Sequence, residues 1–299
     1  MHYRILGRTG LKISVIGVGT WQFGGEWGKD FTQAEVDAIF GAAGDAGINF
    51  LDTAECYGDH LSERLIGAAL AGQRDRWIIA TKFGHHFHEP FKRADLFEPA
   101  AVVRQLDDSL RALRTDHVDL LQCHSAKDEQ FRTDDLWETL LREKARGRAR
   151  HLGISISPNT NVYQTDRASL VGAESIQVVY NRLQREPDER VFPMCPRQNL
   201  GVLARVPLAS GLLSGKYQPG ATFPSTDVRE AWMKKDRDAK LAEVERLAAE
   251  VPPGVPMARW ALAWCLRHPA VTAVIPGCKS PEQVRDNAAA AELIADPAV

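Results

Sequence analysis

Residues 49–58 read NFLDTAECYG, and the way this stretch ends decides how the rest of the chain is read. A short apolar run, Phe50-Leu51, stops at an acid, Asp52, and five positions later a segment of loop formers carries Tyr57. The pattern recurs downstream. WIIATK (77–82) is a β-type run closing on Lys82, and VDLLQCH (118–124) is another closing on His124. Short apolar runs of this kind fit strands buried on both faces of a parallel sheet. Several such strands, each ending in a group that can ionise or donate, match a parallel barrel with its chemistry at the strand ends.

Working outward, residues 3–6 and 11–15 flank Gly7 and Gly10 and read as a hairpin closing one end of the fold. A first barrel strand is expected at 16–18. Thr32 and Glu35 then form a capping box ahead of Val36, Ile39, Phe40 and Ala43 at helical spacing. Strand two is expected at 48–52, a helix at 62–70 and strand three at 77–82. Pro99 opens a helix with Val102, Leu106, Leu110 and Leu113 on one face. Strands four to seven are expected at 118–123, 149–154, 175–179 and 201–206. Residues 208–236 are rich in Gly, Ser and Pro and too long for an ordinary connection, which marks a functional loop. An extra helix (239–250), a helix at 257–267, strand eight at 271–275 and a helix from Ser280 complete the chain. The expected fold is a single α/β (β/α)₈ TIM barrel over 1–299, with an N-terminal β-hairpin and an extra helix after strand seven.

The 299 residues are 44% hydrophobic and 25% charged, with a formal net charge of -2, so no global field recruits nucleic acid or an anionic membrane. The five cysteines are odd in number and contain no Cys-x-x-Cys pair, which points to a reducing compartment and away from structural zinc. MHYRILGRTG lacks the apolar core of a signal peptide and no run reaches membrane-spanning length, so the cytoplasm is the default location. His85-His86-Phe87-His88 resembles a metal tract, but adjacent histidines cannot all face one ion. It reads as part of the loop after strand three, and no metal is expected. Cys56 reads as packing.

Taken singly, Asp52 and Lys82 are a strand-end ion pair, Tyr57 a packed aromatic and His124 a core histidine. Together they form a chemically sensible set. A phenol of pKa ~10 is a poor acid near neutrality, and a neighbouring lysine ammonium lowers that value. Asp52 would keep Lys82 charged and aimed, and His124 would donate to a substrate carbonyl oxygen. Such a set protonates an alkoxide as hydride arrives, so it needs a hydride donor.

These residues carry a resemblance. The chain is similar to the aldo-keto reductases over essentially its whole length, through DTAECYG (52–58), the strand ending in Lys82, DLLQCH (119–124) and HLGIS (151–155). It continues through SIQVVYN (175–181), PLASGLLSGKY (207–217) and IPGCKSPEQVRDN (275–287). The resemblance implies that Asp52, Tyr57, Lys82 and His124 are a catalytic tetrad with Tyr57 as general acid. It implies reduction of aldehydes and ketones, or the reverse, with NADP(H) and without a metal, on a small carbonyl or alcohol substrate.

The usual dinucleotide fingerprint is missing, because Gln22 stands where a G-x-G-x-x-G beginning at Gly17 would end. Ser280-Pro281 instead opens a helix whose free N–H groups suit a phosphate, with the Lys279 cation just before it. The resemblance extends the cofactor contacts to Gly19, Thr20 and Trp21 after strand one, and to Ser155 and Gln177 at strands five and six for the carboxamide. It adds Arg205, Pro207, Leu208, Ser210, Leu212, Ser214 and Lys216 after strand seven, and Gly277, Lys279, Ser280, Gln283 and Asn287 after strand eight. Trp21, Tyr57 and His124 would touch substrate. The chain departs from many relatives at Ile156 (asparagine there), Arg205 (a stacking tyrosine) and Gln283 (arginine). Arg205 stacks in place of the tyrosine or pairs with an acid, and Gln283 contacts cofactor or completes a capping box. NADP(H) is favoured with NAD(H) second, and an open, permissive pocket is expected. Two other readings stand beside this one: a Schiff-base lyase using Lys82, and a non-catalytic NADP(H)-sensing regulatory subunit on the same fold.

Overall fold

The computed structural model describes residues 1–295. Tyr3–Ile5 pairs antiparallel with Lys12–Ser14 as the expected hairpin. Eight parallel strands follow: β1 (Val18–Gly19), β2 (Phe50–Asp52), β3 (Ile78–Phe83), β4 (Val118–His124), β5 (Ala149–Ser155), β6 (Ser175–Val179), β7 (Gly201–Arg205) and β8 (Ala273–Val274). Each pairs with its neighbour in chain order. The sheet curls until its edges meet. Ile16 bridges Val274 and Gly19 bridges Gly277, and the Gly17 N–H donates to the Val274 carbonyl at 2.8 Å. The fold is the expected (β/α)₈ barrel.

Side chains alternate in direction along a strand, and that alternation builds the site. Phe50, Ala80, Leu120 and Leu203 point into the barrel, where Leu6 and Ile13 of the hairpin plug the bottom. Leu51, Ile79, Leu121 and Val202 point outward into the core beneath the helices. Two residues beyond each inward apolar residue, on the same face, stand Asp52, Lys82, Gln122 and Arg205. Each of these four strands thus carries hydrophobic filling first and a polar group toward the mouth.

Most expected helices form with the predicted signals. Gln33–Asp45 starts at the Thr32–Glu35 capping box, and Pro99–Leu113 starts on its proline. The end strands differ: the first is shifted to Val18–Gly19 and the eighth is only Ala273–Val274, because the loops at the closure seam take over the pairing. The extra helix runs Arg237–Leu247, preceded by a short helix at Val228–Met233. Residues 85–95, expected as loop, form a hairpin of His85–Glu89 and Lys92–Asp95. Its strands are polar on both faces, so no alternation announced them. Among the described residues no helix is long and apolar enough to cross a membrane.

Two glycines fix the loop that carries Tyr57. Gly58 has φ +67, and a Cβ there would lie 2.6 Å from the Gly24 carbonyl oxygen. A Cβ on Gly24 would in turn lie 2.6 Å from the Tyr57 carbonyl carbon. The two backbones touch only because neither carries a side chain. Gly58→Ala is therefore expected to lose about 1–3 kcal/mol through left-handed strain. Urea unfolding checks this, with a shifted near-UV signal from the loop aromatics as the accompanying readout.

Candidate active site

Asp52, Tyr57, Lys82 and His124 come together at the mouth. Lys82 is 1% exposed, and its ammonium spends all three donors: on Asp52 Oδ1 at 2.5 Å, the Thr53 carbonyl at 2.6 Å and the Tyr57 hydroxyl oxygen at 3.2 Å. Because Lys82 donates to the phenol oxygen, the Tyr57 O–H is left to donate elsewhere. Asp52 Oδ2 accepts from Gln122 Nε2 at 2.9 Å and Gln177 Nε2 at 2.7 Å. The carboxylate is thus bonded on both oxygens from three other strands. His124 lies edge-on to Tyr57, with ring centroids 6.3 Å apart, and against His85 at 4.8 Å.

The protonation states follow from burial and neighbours. Burial pulls Lys82 down, but Asp52 and Tyr57 outweigh it, and its pKa is raised. Burial, then His85 and Lys82, hold His124 well below the ordinary histidine range, so the ring is neutral. Burial pushes Tyr57 up to about 12, although Lys82 pulls the other way. The sequence argument expected a lowered phenol, and the direction is opposite: loss of water around the phenolate outweighs one ammonium. Tyr57 is a phenol, not a phenolate, at neutral pH.

One wall of the mouth is aromatic. Trp21 stacks on Tyr57 with centroids 5.9 Å apart and lies 5.1 Å from both Trp27 and Trp232. Glu26 sets that wall. Fully buried, it accepts from Trp21 Nε1 at 2.7 Å and the Phe91 N–H at 2.8 Å, and it pairs with Arg93 of the 85–95 hairpin. Glu26, Arg93 and Trp232 escaped the sequence reading, because each acts across loops far apart in the chain. Behind Tyr57, Glu55 is 3% exposed; it accepts the His85 N–H on Oε1 at 3.0 Å, and its Oε2 is buried without a partner. Burial pushes its carboxyl up to about 7.

Of the candidate cofactor residues, all but Ser155, Leu212 and Ser280 line one cavity of about 660 Å³ that also contains Asp52, Tyr57 and His124. Ser155 lies beneath it and donates to Gln177 Oε1 at 3.3 Å. Leu212 is apolar and packs into the core with Leu241 and Trp260. Ser280 caps the helix Pro281–Ala289 by accepting the Gln283 N–H at 3.4 Å. The Gln283 side chain accepts instead from the Lys279 N–H at 2.8 Å, so the capping box is only half formed. Gln177 reaches the cavity, but its amide nitrogen is spent on Asp52. Lys279 Nζ donates to the Trp27 carbonyl at 2.8 Å. Nor is the pocket as open as expected. Residues 26–28 pair with 226–228 across the mouth, through a Trp27–Asp227 bridge and a Val228 N–H to Glu26 carbonyl bond of 2.9 Å.

Residues 15–297 match the model of the aldo/keto reductase family. The chain is 32% identical to the uncharacterized oxidoreductase YrpG of Bacillus subtilis, over 99% of this chain and 93% of that protein. It is 29% identical to a probable voltage-gated potassium channel subunit beta of Arabidopsis thaliana, over 98% of this chain and 92% of that one. Among solved structures it is similar to aldo-keto reductase AKR11C1 from Bacillus halodurans in its holo form, with TM-score 0.82 and 31% identity, covering 98% of this chain and 91% of that one.

Glu55 gives a pH signature. Its value of about 7 in the fold lies above that of an unfolded glutamate, so the native state holds the proton longer. The stabilising effect of that proton is complete below about pH 4 and is lost as pH rises through about 7. Glu55→Gln stays neutral, so its stability relative to the natural chain should rise by on the order of 3 kcal/mol between pH 4 and pH 8. Urea unfolding of both proteins at the two pH values measures this. An unchanged difference would mean that the carboxyl is ionised within the fold.

Proposed function

The chain belongs to the aldo/keto reductase family, and from that membership we propose that it reduces aldehydes or ketones with NADP(H), or runs the same reaction backward. The observation that carries this reading is the 3.2 Å approach of the buried Lys82 ammonium to the Tyr57 hydroxyl, which leaves the phenol proton free to be given away. The dinucleotide, when bound, supplies hydride to the carbonyl carbon. Everything else falls to the protein. Tyr57 gives its proton to the carbonyl oxygen, which suits a phenol of raised pKa because an alkoxide is a stronger base still. The phenolate left behind is stabilised by Lys82, which Asp52, Gln122 and Gln177 hold in place. His124, neutral, donates a hydrogen bond to the same oxygen and sets its direction. Trp21, Trp27 and Trp232 keep the mouth apolar, favouring substrates with an aromatic or extended hydrocarbon body.

The residues fit a dinucleotide. At one end of the cavity Lys279 has a carbonyl partner and, among the described residues, no carboxylate, beside a capped helix start. A phosphate there would replace the carbonyl with a charged acceptor. Preference for NADP(H) over NAD(H) rests on that lysine. The Schiff-base reading is disfavoured, because such a lysine must lose its proton and the neighbours of Lys82 raise its pKa.

Tyr57→Phe should lower carbonyl-dependent NADPH oxidation by about 10²–10⁴-fold while NADPH affinity, read by fluorescence titration, stays within about twofold. Retained turnover removes Tyr57 as proton donor, and a natural chain that binds NADPH yet turns over no carbonyl panel leaves the sensing reading. Lys279→Met should raise KM for NADPH by about 10–100-fold and leave KM for NADH unchanged. Equal effects on both would place the lysine away from the 2′-phosphate.

A further inference from the structure

Several cations around the mouth are matched by acids, whereas Lys216 and Lys279 along the cavity form no ion pair among the described residues. Lys82 lies 2.5 Å from Asp52, Arg93 pairs with Glu26, and Arg229 lies 2.7 Å from Asp227. Arg205, the last residue of β7, is the unmatched cation nearest its strand end, and it lacks a good hydrogen bond. It lines the cavity, yet among the described residues no carboxylate pairs with it. Its one hydrogen bond is a long 3.4 Å contact to the Ile156 carbonyl, and its Nε is buried with no partner. The expectation that it pairs with an acid is therefore not met. A partly buried charge without an ion-pair partner is screened less than one in open water, so whatever is bound beside it feels much of that charge. Asp52 acts on it from a distance but is itself bonded to Lys82, and His124 is uncharged.

Arg205 also sits on a particular side of Tyr57. It directly precedes the 206–217 stretch along the cavity, and its strand pairs with the one carrying Gln177. Trp21 and Trp27 belong to the loop after β1 and His85 to the loop after β3 instead. Resting on the reading above, the nicotinamide must lie within hydride reach of a carbon whose oxygen is held at Tyr57. That ring is neutral when reduced and cationic when oxidised, whereas the phosphates are the same in both states. We propose that Arg205 is a redox-state discriminator: its uncompensated guanidinium makes the site bind the reduced dinucleotide in preference to the oxidised one. The charge thereby favours loading of the reduced form and hastens departure of the oxidised form after a reduction. It is a specificity-determining residue toward the cofactor, with no proton or hydride of its own to transfer.

The test is a pair of affinities. The seven tryptophans supply a fluorescence donor for NADPH titration, and NADP⁺ is measured by displacement. The natural chain should bind NADPH about tenfold or more tightly than NADP⁺. Arg205→Lys should keep most of that ratio. Arg205→Gln and Arg205→Met should bring it to within about twofold of unity, chiefly by tightening NADP⁺, with Tm unchanged or raised. An unchanged ratio in the Gln and Met variants overturns the proposal. So does equal weakening of both forms, which would mean simple stacking, or a loss confined to carboxylate-bearing substrates, which would assign Arg205 to substrate. If the natural chain binds both forms equally, only this proposal falls. If it binds neither, the cofactor reading falls as well.

Discussion

The contact between Lys82 and Asp52 is the constraint on which the rest of the site depends. Moving two opposite charges out of water costs several kcal/mol for each ion, and their attraction offsets this only when every remaining donor and acceptor is also satisfied. Here that condition is met by Thr53, Tyr57, Gln122 and Gln177, which arrive from the β2 loop, β4 and β6. No local element could assemble this set. It requires a closed parallel sheet whose strands end at matched heights, so the ion pair and the barrel presuppose each other. Shift β3 by one residue and Lys82 turns into the hydrophobic layer outside.

The same alternation explains what the sequence disclosed. Phe50 before Asp52, Ala80 before Lys82 and Leu120 before Gln122 are inward pairs two residues apart, and an apolar run stopping at a polar residue is a local signal. The loop contacts leave no such mark. Arg93 meets Glu26 across 67 positions, and nothing near either residue announces the other. The 85–95 hairpin escaped for a related reason, since it is stabilised by Glu26 and Gly84 contacts and not by an apolar face. Ser155, Leu212 and Ser280 do not line the cavity, because family motifs mark a segment while packing decides which of its side chains turn toward it. The sign of the Tyr57 shift required knowing how much water the fold removes, which spacing cannot supply.

The loop after β7 shows how the barrel reaches back over its own mouth. Val206, Ala209 and Ser210 have φ values of +53, +48 and +57, in the left-handed region that ordinary side chains avoid. For a β-branched residue such as Val206 this is costly, and such strain persists only where surroundings over-determine it. They do so here: Asn181 is fully buried and donates from Nδ2 to the Val206 carbonyl at 3.0 Å, while the Ala209 N–H donates to the same oxygen at 2.9 Å. With Gly211 and Gly215 also at positive φ, the chain turns sharply as it leaves β7.

That turn has a consequence for ligand entry. It delivers Arg229 to a position where it is held by Asp227 on both carboxylate oxygens and donates to the Ser210 carbonyl and the Tyr217 hydroxyl. The Asp227 backbone in turn bridges Trp27, whose carbonyl also accepts from Lys279. Loops after β1, β7 and β8 are thus joined in a strap across the cavity. The joints are a few backbone bonds, one lysine–carbonyl contact, the Arg229 guanidinium over Trp27 and the packing of Trp21 on Trp232, which is itself 61% exposed. On the proposed reading, Lys279 would exchange the Trp27 carbonyl for a phosphate as a dinucleotide binds, so a bond that fastens the strap is also one that a phosphate would release.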